Sequence, residues 1–237
     1  MIGLGTIINV VAIIVGGLLG KVFGRFLSKR YQETLNMACG VSVLFLGIAG
    51  ALEGMLTVEG SSIVSGQSML IVLSLVIGAL LGELINLEDK FERFGEWLKR
   101  KTGNEKEANF VDAFVTASLT VCIGAMDIVG AIQDGIFGDY SILATKAVLD
   151  LIIILVMTGA LGKGCAFSAI PVGILQGTVT LLAGFIKPIM TEAALANLSM
   201  VGSILIFCVG VNLVWGKKVR VANLLPAIVI AVIMAYV

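Results

Sequence analysis

Eight apolar runs of about membrane-crossing length constrain this chain more than any motif in it. A helix needs about 20 predominantly apolar residues to cross the hydrocarbon layer. The runs cover residues 2–22, 36–57, 66–86, 110–134, 142–162, 166–186, 196–214 and 221–237. Charged residues make up 14% of the chain, against about 25% in soluble domains, and mean hydropathy is +1.07. Lipid is therefore the expected solvent. The expected fold is all-α, a polytopic transmembrane bundle of about eight helices, with seven as the alternative because the last run is short. A single integral membrane domain is expected over 1–237, with helices one to three and an inner loop in 1–109 and helices four to eight in 110–237.

The basic residues give these runs a direction. Lys21, Arg25, Lys29 and Arg30 follow run one, and Lys90, Arg93, Lys99, Arg100, Lys101 and Lys106 follow run three. Lys163 follows run five, and Lys217, Lys218 and Arg220 follow run seven. These alternate loops fall on one side of the membrane, which the positive-inside rule assigns to the cytoplasm. With eight spans, both termini are expected outside. No cleavable signal peptide is expected, because Lys21 and Arg25 follow the first apolar run instead of preceding it.

Other classes are disfavoured. Sixteen basic and sixteen acidic residues cancel, so net charge gives no reason to expect a nucleic-acid partner. The chain has no His, the commonest general base at neutral pH and the commonest metal ligand. Cys39, Cys122, Cys165 and Cys208 have no CxxC spacing and read as buried, inert thiols. No Ser or Cys stands beside an evident base, so no enzyme, cofactor or metal is expected.

The inner loop contains "LINLEDKFERFGEWLKRKTG", where Leu87, Phe91, Phe94 and Leu98 recur at helical spacing. This predicts an amphipathic helix on the membrane surface, serving as a connector or a docking site. The ends of runs one and three, "IIVGGLLGKVFG" and "LVIGALLGELIN", share a frame. Duplicated helical hairpins would produce that echo, and so would packing need alone, since small residues let membrane helices approach closely.

Charge inside the membrane marks runs four and five. In "FVDAFVTASLTVCIGAMDIVGAIQDG", the spacings of Thr116, Thr120, Asp127 and Asp134 put them on one face of a continuous helix. The chain then turns at "FGDYS" and returns through Lys146 and Asp150, four apart and able to pair. Asp127 and Asp150 lie at similar distances from the turn, which places both roughly 12–15 Å below its end. Two level carboxylates beside an ammonium suit proton- or cation-coupled binding. The simpler alternative is structural: Lys146 pairs with Asp150, and Asp134 caps the helix end, purely to hold the hairpin. Asn9, Gln176 and Asn212 are the other midmembrane polar residues, each expected to bond between helices. Gln176 stands out because Pro171 and Gly177 bracket it, and broken helices often line substrate sites.

"ASLTVCIGAMDIVGAIQDGIFGDYSILATKAVLD", followed by "FSAIPVGILQGTVTLLAG", resembles the YqgA/YdfK-like bacterial inner-membrane proteins. The opening "GTIINVVAIIVGGLLG" and the closing "GVNLVWGKKVRVANLLPA" are similar too, so the resemblance spans essentially the whole chain. It implies a multi-pass protein of the bacterial plasma membrane, in a family of unassigned function described at most as candidate transporters. Its pattern includes residues matching Gln133, Asp134, Gly135, Asp139, Tyr140, Lys146, Asp150 and Gln176. It favours Pro-Met-Ala where this chain has Ala125-Met126-Asp127.

The expected function is secondary transport of an ion or small polar solute, coupled to protons or cations. Asp150 and Lys146 would form the binding site, with Asp134, Asp127, Gln176 and Gln133 assisting. The expected partners are the bilayer and that solute, with no nucleic acid, and the glycine-rich faces permit a homo-oligomer. The alternative is a non-transporting scaffold or sensor acting through the amphipathic loop.

Overall fold

The structure is a computed structural model that describes residues 2–60 and 62–237. It is almost wholly helical. In chain order the elements are α1 (Leu4–Phe26), α2 (Lys29–Met55), β1 (Leu56–Glu59), β2 (Ser62–Ser65), α3 (Ser68–Ile85) and α4 (Leu87–Lys101). They continue with α5 (Phe110–Cys122), α6 (Ala125–Phe137), α7 (Ser141–Leu161), a 3-10 turn (Lys163–Ser168), α8 (Ala169–Leu181) and α9 (Ala183–Ile186). The last are α10 (Glu192–Trp215), α11 (Val221–Leu224), α12 (Pro226–Ile233) and a 3-10 turn (Met234–Tyr236).

Among the described residues, six helical stretches are long and apolar enough to cross a membrane: α1, α2, α3, α7, the 3-10 turn with α8, and α10. The fourth apolar run is not one helix. It breaks between α5 and α6, which are bent by 63°, and counting the pair as one span gives seven. The last run is the shorter apolar helix Val221–Tyr236. Pro226 interrupts it, because proline brings no N–H to the helix ladder. A small hairpin also appears that the apolar pattern does not signal, β1 pairing antiparallel with β2 and turning through Gly60 at φ +62°.

The chain divides into two compact units that interleave along the sequence. The first comprises Met1–Cys39, Lys90–Cys122 and Met126–Pro188. Its main packing is α1 on α7. Gly16, Gly20 and Gly24 recur every fourth residue, so they share one face of α1. A Cβ added at Gly16 would lie 2.5 Å from the Leu151 carbonyl oxygen, and one at Gly24 3.2 Å from that of Gly159. At Gly16 a side chain would collide with the facing backbone, and at Gly24 the approach is merely tight. Behind the contact, Ile13, Ala117, Val121, Ile154, Met157, Cys165 and Val172 form a buried core. Ile7, Val11 and Leu18 on α1 stay exposed, as expected of side chains turned to lipid.

The amphipathic helix is present as α4. Its apolar side is not free to lie on a membrane along its length, because within the first unit it rests on α5. Phe94 packs against Phe114 with ring centroids 5.8 Å apart, and a Cβ at Gly95 would come within 3.1 Å of Val111 and Phe114. Leu98 is buried, and Trp97 remains partly exposed.

The second unit comprises Gly40–Asp89, Ile123–Ala125 and Ile189–Val237. Here α3 packs on α11 and α12. Gly78 and Gly82, the counterparts of Gly16 and Gly20 in the echoed frame, sit against the backbone of Ala227 and Asn223. The echo therefore marks the same packing device once in each unit, although neither unit is a sequential half of the chain. A polar clasp closes the end of α3. Asn223 Nδ2 donates to Glu83 Oε2 (2.5 Å), and Asn223 Oδ1 accepts from the Glu88 N–H (2.7 Å). Glu83 also pairs with Arg220 at 2.6 Å, and Glu88 with Lys217 at 3.0 Å. Among the described residues, Asn212 bonds to the turn after α10 and not between spanning helices. Its Oδ1 accepts from the N–H groups of Lys218 and Val219, and so fastens the turn after α10.

Candidate functional site

The break between α5 and α6 creates the site. In an uninterrupted helix, the Val121 carbonyl would accept a hydrogen bond from residue 125. Ending α5 at Cys122 leaves its last carbonyls without helical partners. Lys146, reaching from α7, donates to the Val121 oxygen at 2.9 Å. On the other side of the break, Asp127 occupies the first turn of α6, where the helix dipole favours negative charge. A cation thus meets the carbonyl end of one half-helix, and a carboxylate lies at the amide end of the next.

Lys146 Nζ joins the two acids. It donates to both oxygens of Asp150, at 2.9 and 2.8 Å, and lies 3.5 Å from Asp127 Oδ2. Gln176, at the middle of α8, donates through Nε2 to Asp127 Oδ1 at 2.7 Å. The four side chains are enclosed, at 1% exposure for Asp127, 2% for Asp150, 8% for Lys146 and 0% for Gln176. With all groups ionised, one ammonium and two carboxylates leave a net charge of −1. The polar capacity is also incompletely used. Gln176 Oε1 makes no hydrogen bond among the described residues, and the fully buried Asn9 lies within side-chain reach of Asp150.

The structure thus brings together four of the six predicted site residues: Asp150, Lys146, Asp127 and Gln176. Asp134 lies elsewhere in its polar contacts. Its carboxylate accepts from the backbone N–H of Gly3 (3.2 Å) and of Gly5 (2.9 Å), capping the start of α1. Gln133, half-buried beside it on α6, takes no part in the hydrogen bonds of the cluster. The single polar face expected of Thr116, Thr120, Asp127 and Asp134 does not form, because the bend interrupts it. Thr120 turns back to the Thr116 carbonyl at 2.8 Å instead. Sequence reasoning missed Asn9 as a neighbour of the cluster and the break itself. Gly124 and the Pro at 125 in the resembling pattern are the signals that could have located it, since proline is favoured at the first position of a helix.

Long apolar helices with a buried ionic cluster define a multi-pass membrane protein. The chain belongs to the family described as "Protein of unknown function (DUF554)", which it matches over residues 4–236. It is 31% identical over 233 residues to "Uncharacterized membrane protein YdfK" of Bacillus subtilis (strain 168), covering 98% of this chain and 96% of that one. It is 28% identical over 235 residues to "Uncharacterized protein YqgA" of Escherichia coli (strain K12), covering 96% and 94%. No solved structure matches the chain.

Proposed function

We propose that this protein is a secondary transporter of the bacterial plasma membrane, moving an ion or small polar solute with protons or cations as the coupling species. The observation that carries this reading is the pairing of a broken helix with an ionic cluster that has one more carboxylate than ammonium. Broken membrane helices use their freed ends to hold charged ligands. Here Asp127 and Asp150 compete for Lys146, so uptake of a proton or a cation by one acid would release Lys146 to the other. Gln176 Oε1 supplies an unused polar atom that a solute would engage, and Asn9 stands beside Asp150 to assist.

In this structure the cluster is closed, with its charged groups almost wholly buried. Transport therefore requires a second arrangement in which water or solute reaches it. The positive-inside rule supports a cytoplasmic side for the loops rich in Lys and Arg.

The test is flux in proteoliposomes carrying a proton gradient, comparing the wild type with Asp150→Asn and Asp127→Asn. Proton movement that depends on an added solute, and that is abolished in both variants, supports the reading. A protein that folds normally but shows no flux with a panel of ions and polar solutes, while its α4 segment binds a soluble protein, would favour the scaffold instead.

A further inference from the structure

A second polar site lies in the first unit, away from the ion cluster. It is a cleft of about 360 Å³, within the size range of small-molecule sites. Its walls come from the end of α1, the start of α2, the segment before α5 and the end of α7. All four border the ends of apolar helices, so the cleft opens at a membrane boundary.

The charge of this cleft is one-sided. Lys21, Arg25 and Lys163 line it with one acid, Glu107. Three positive charges and one negative leave +2. Glu107 is already committed, paired with Lys163. Lys21 and Arg25 are four apart and share a face of α1. Neither makes an ion pair or side-chain hydrogen bond among the described residues. The floor is built to hold its shape. Gln32 donates through Nε2 to the carbonyls of Gly24 (3.1 Å) and Leu27 (3.2 Å), which fixes the α1–α2 turn. Gly162, at φ +110°, ends α7 in a conformation that side chains disfavour and directs Lys163 to the cleft. Thr158 also lines it.

We propose that this cleft binds a phosphate group, held by Lys21 and Arg25 with Lys163 as a third donor. Basic pockets between membrane helices recognise anionic lipid headgroups, and a soluble phosphate monoester would meet the same donors. The site does not depend on transport through the ion cluster, so the two readings stand or fall separately.

The experiment uses the full chain in detergent micelles at constant ionic strength, with melting temperature as the readout. One arm titrates phosphatidylglycerol against phosphatidylcholine, and the other titrates glycerol 3-phosphate. Saturable stabilisation by phosphatidylglycerol alone identifies a lipid headgroup, and stabilisation by glycerol 3-phosphate identifies a soluble ligand. Each Lys or Arg near a membrane surface changes affinity about fivefold, so K21Q/R25Q is expected to weaken binding about 25-fold. The control K99Q/R100Q on α4 is expected to titrate like the wild type. E107Q, which leaves Lys163 without its partner, is expected to tighten binding about fivefold and serves as the test if the double variant fails to fold. The proposal is overturned if neither ligand stabilises the protein, if K21Q/R25Q or E107Q titrates like the wild type, or if the α4 control weakens binding equally.

Discussion

Lys146 and Asp150, one turn apart on α7, are joined by two hydrogen bonds, with the ammonium 2.9 and 2.8 Å from the carboxylate oxygens. Their spacing makes the pair local, but its setting does not. The ammonium also takes a carbonyl from α5 and approaches Asp127 on α6, so one side chain ties three helical segments together.

Breaking that pair from one side leaves a buried charge without its partner. Lys146→Met is expected to destabilise the protein by about 3–5 kcal/mol, the usual cost of orphaning one member of a buried pair. K146M/D150N removes one charge of each sign and is expected to recover part of the loss. Unfolding in a detergent titration measures both. A double variant as unstable as the sum of its single variants would mean that the two residues are not energetically coupled.

Asp127→Asn should separate stability from function. Asparagine keeps an acceptor for Gln176 and removes the negative charge. The expected result is a melting temperature near that of the wild type with loss of proton-dependent flux. Gln176→Leu should instead lower the melting temperature, because it leaves the Asp127 oxygen without its 2.7 Å donor.

The α1–α7 contact predicts a contrast between glycines. Gly16→Leu would drive a side chain into the Leu151 backbone and is expected to prevent stable folding, read as aggregation on size-exclusion chromatography. Gly177→Ala, where an added Cβ meets nothing within 4 Å, is expected to be tolerated.

Asp134→Ala tests the cap on α1. The two N–H groups at Gly3 and Gly5 lose their acceptor, and the expected cost is about 0.5–2 kcal/mol, typical of a lost helix cap. Hydrogen exchange at residues 3–7 should accelerate, while flux should be retained.

Asp139 gives a pH signature outside the membrane. Its carboxylate accepts from the Ser141 hydroxyl at 2.7 Å and from the Ser141 N–H at 3.0 Å, and these bonds hold its pKa below the usual carboxylate value. A lowered folded-state pKa stabilises the fold above the unfolded value of about 3.9 and loses that effect as pH falls through the folded pKa. Melting curves of the wild type and Asp139→Asn are therefore expected to differ at neutral pH and to converge below about pH 4.

Much of this arrangement was legible in residue spacing. Hydropathy located the helices, and the four-residue step from Lys146 to Asp150 announced the ion pair. The equal distances of Asp127 and Asp150 from the "FGDYS" turn foretold their similar depth, and in the structure both lie beside Lys146. What could not be read was backbone direction. Periodicity assumes an unbroken helix, so the face drawn through Asp127 and Asp134 ignored the break at 123–124. Such a face groups Asp134 with the cluster, although its partners lie more than a hundred residues earlier at the start of α1. Asn223 gave no signal either, because its partners Glu83 and Glu88 belong to a helix end that only the folded chain brings near.

The elbow in the fourth apolar run sets a condition on any movement of the protein. Straightening it would return the Val121 oxygen to the amide of residue 125, and Lys146 would forfeit that ligand. Geometry and charge at this joint are consequently a single variable, and whatever re-pairs the lysine also has leverage on the angle of the joint.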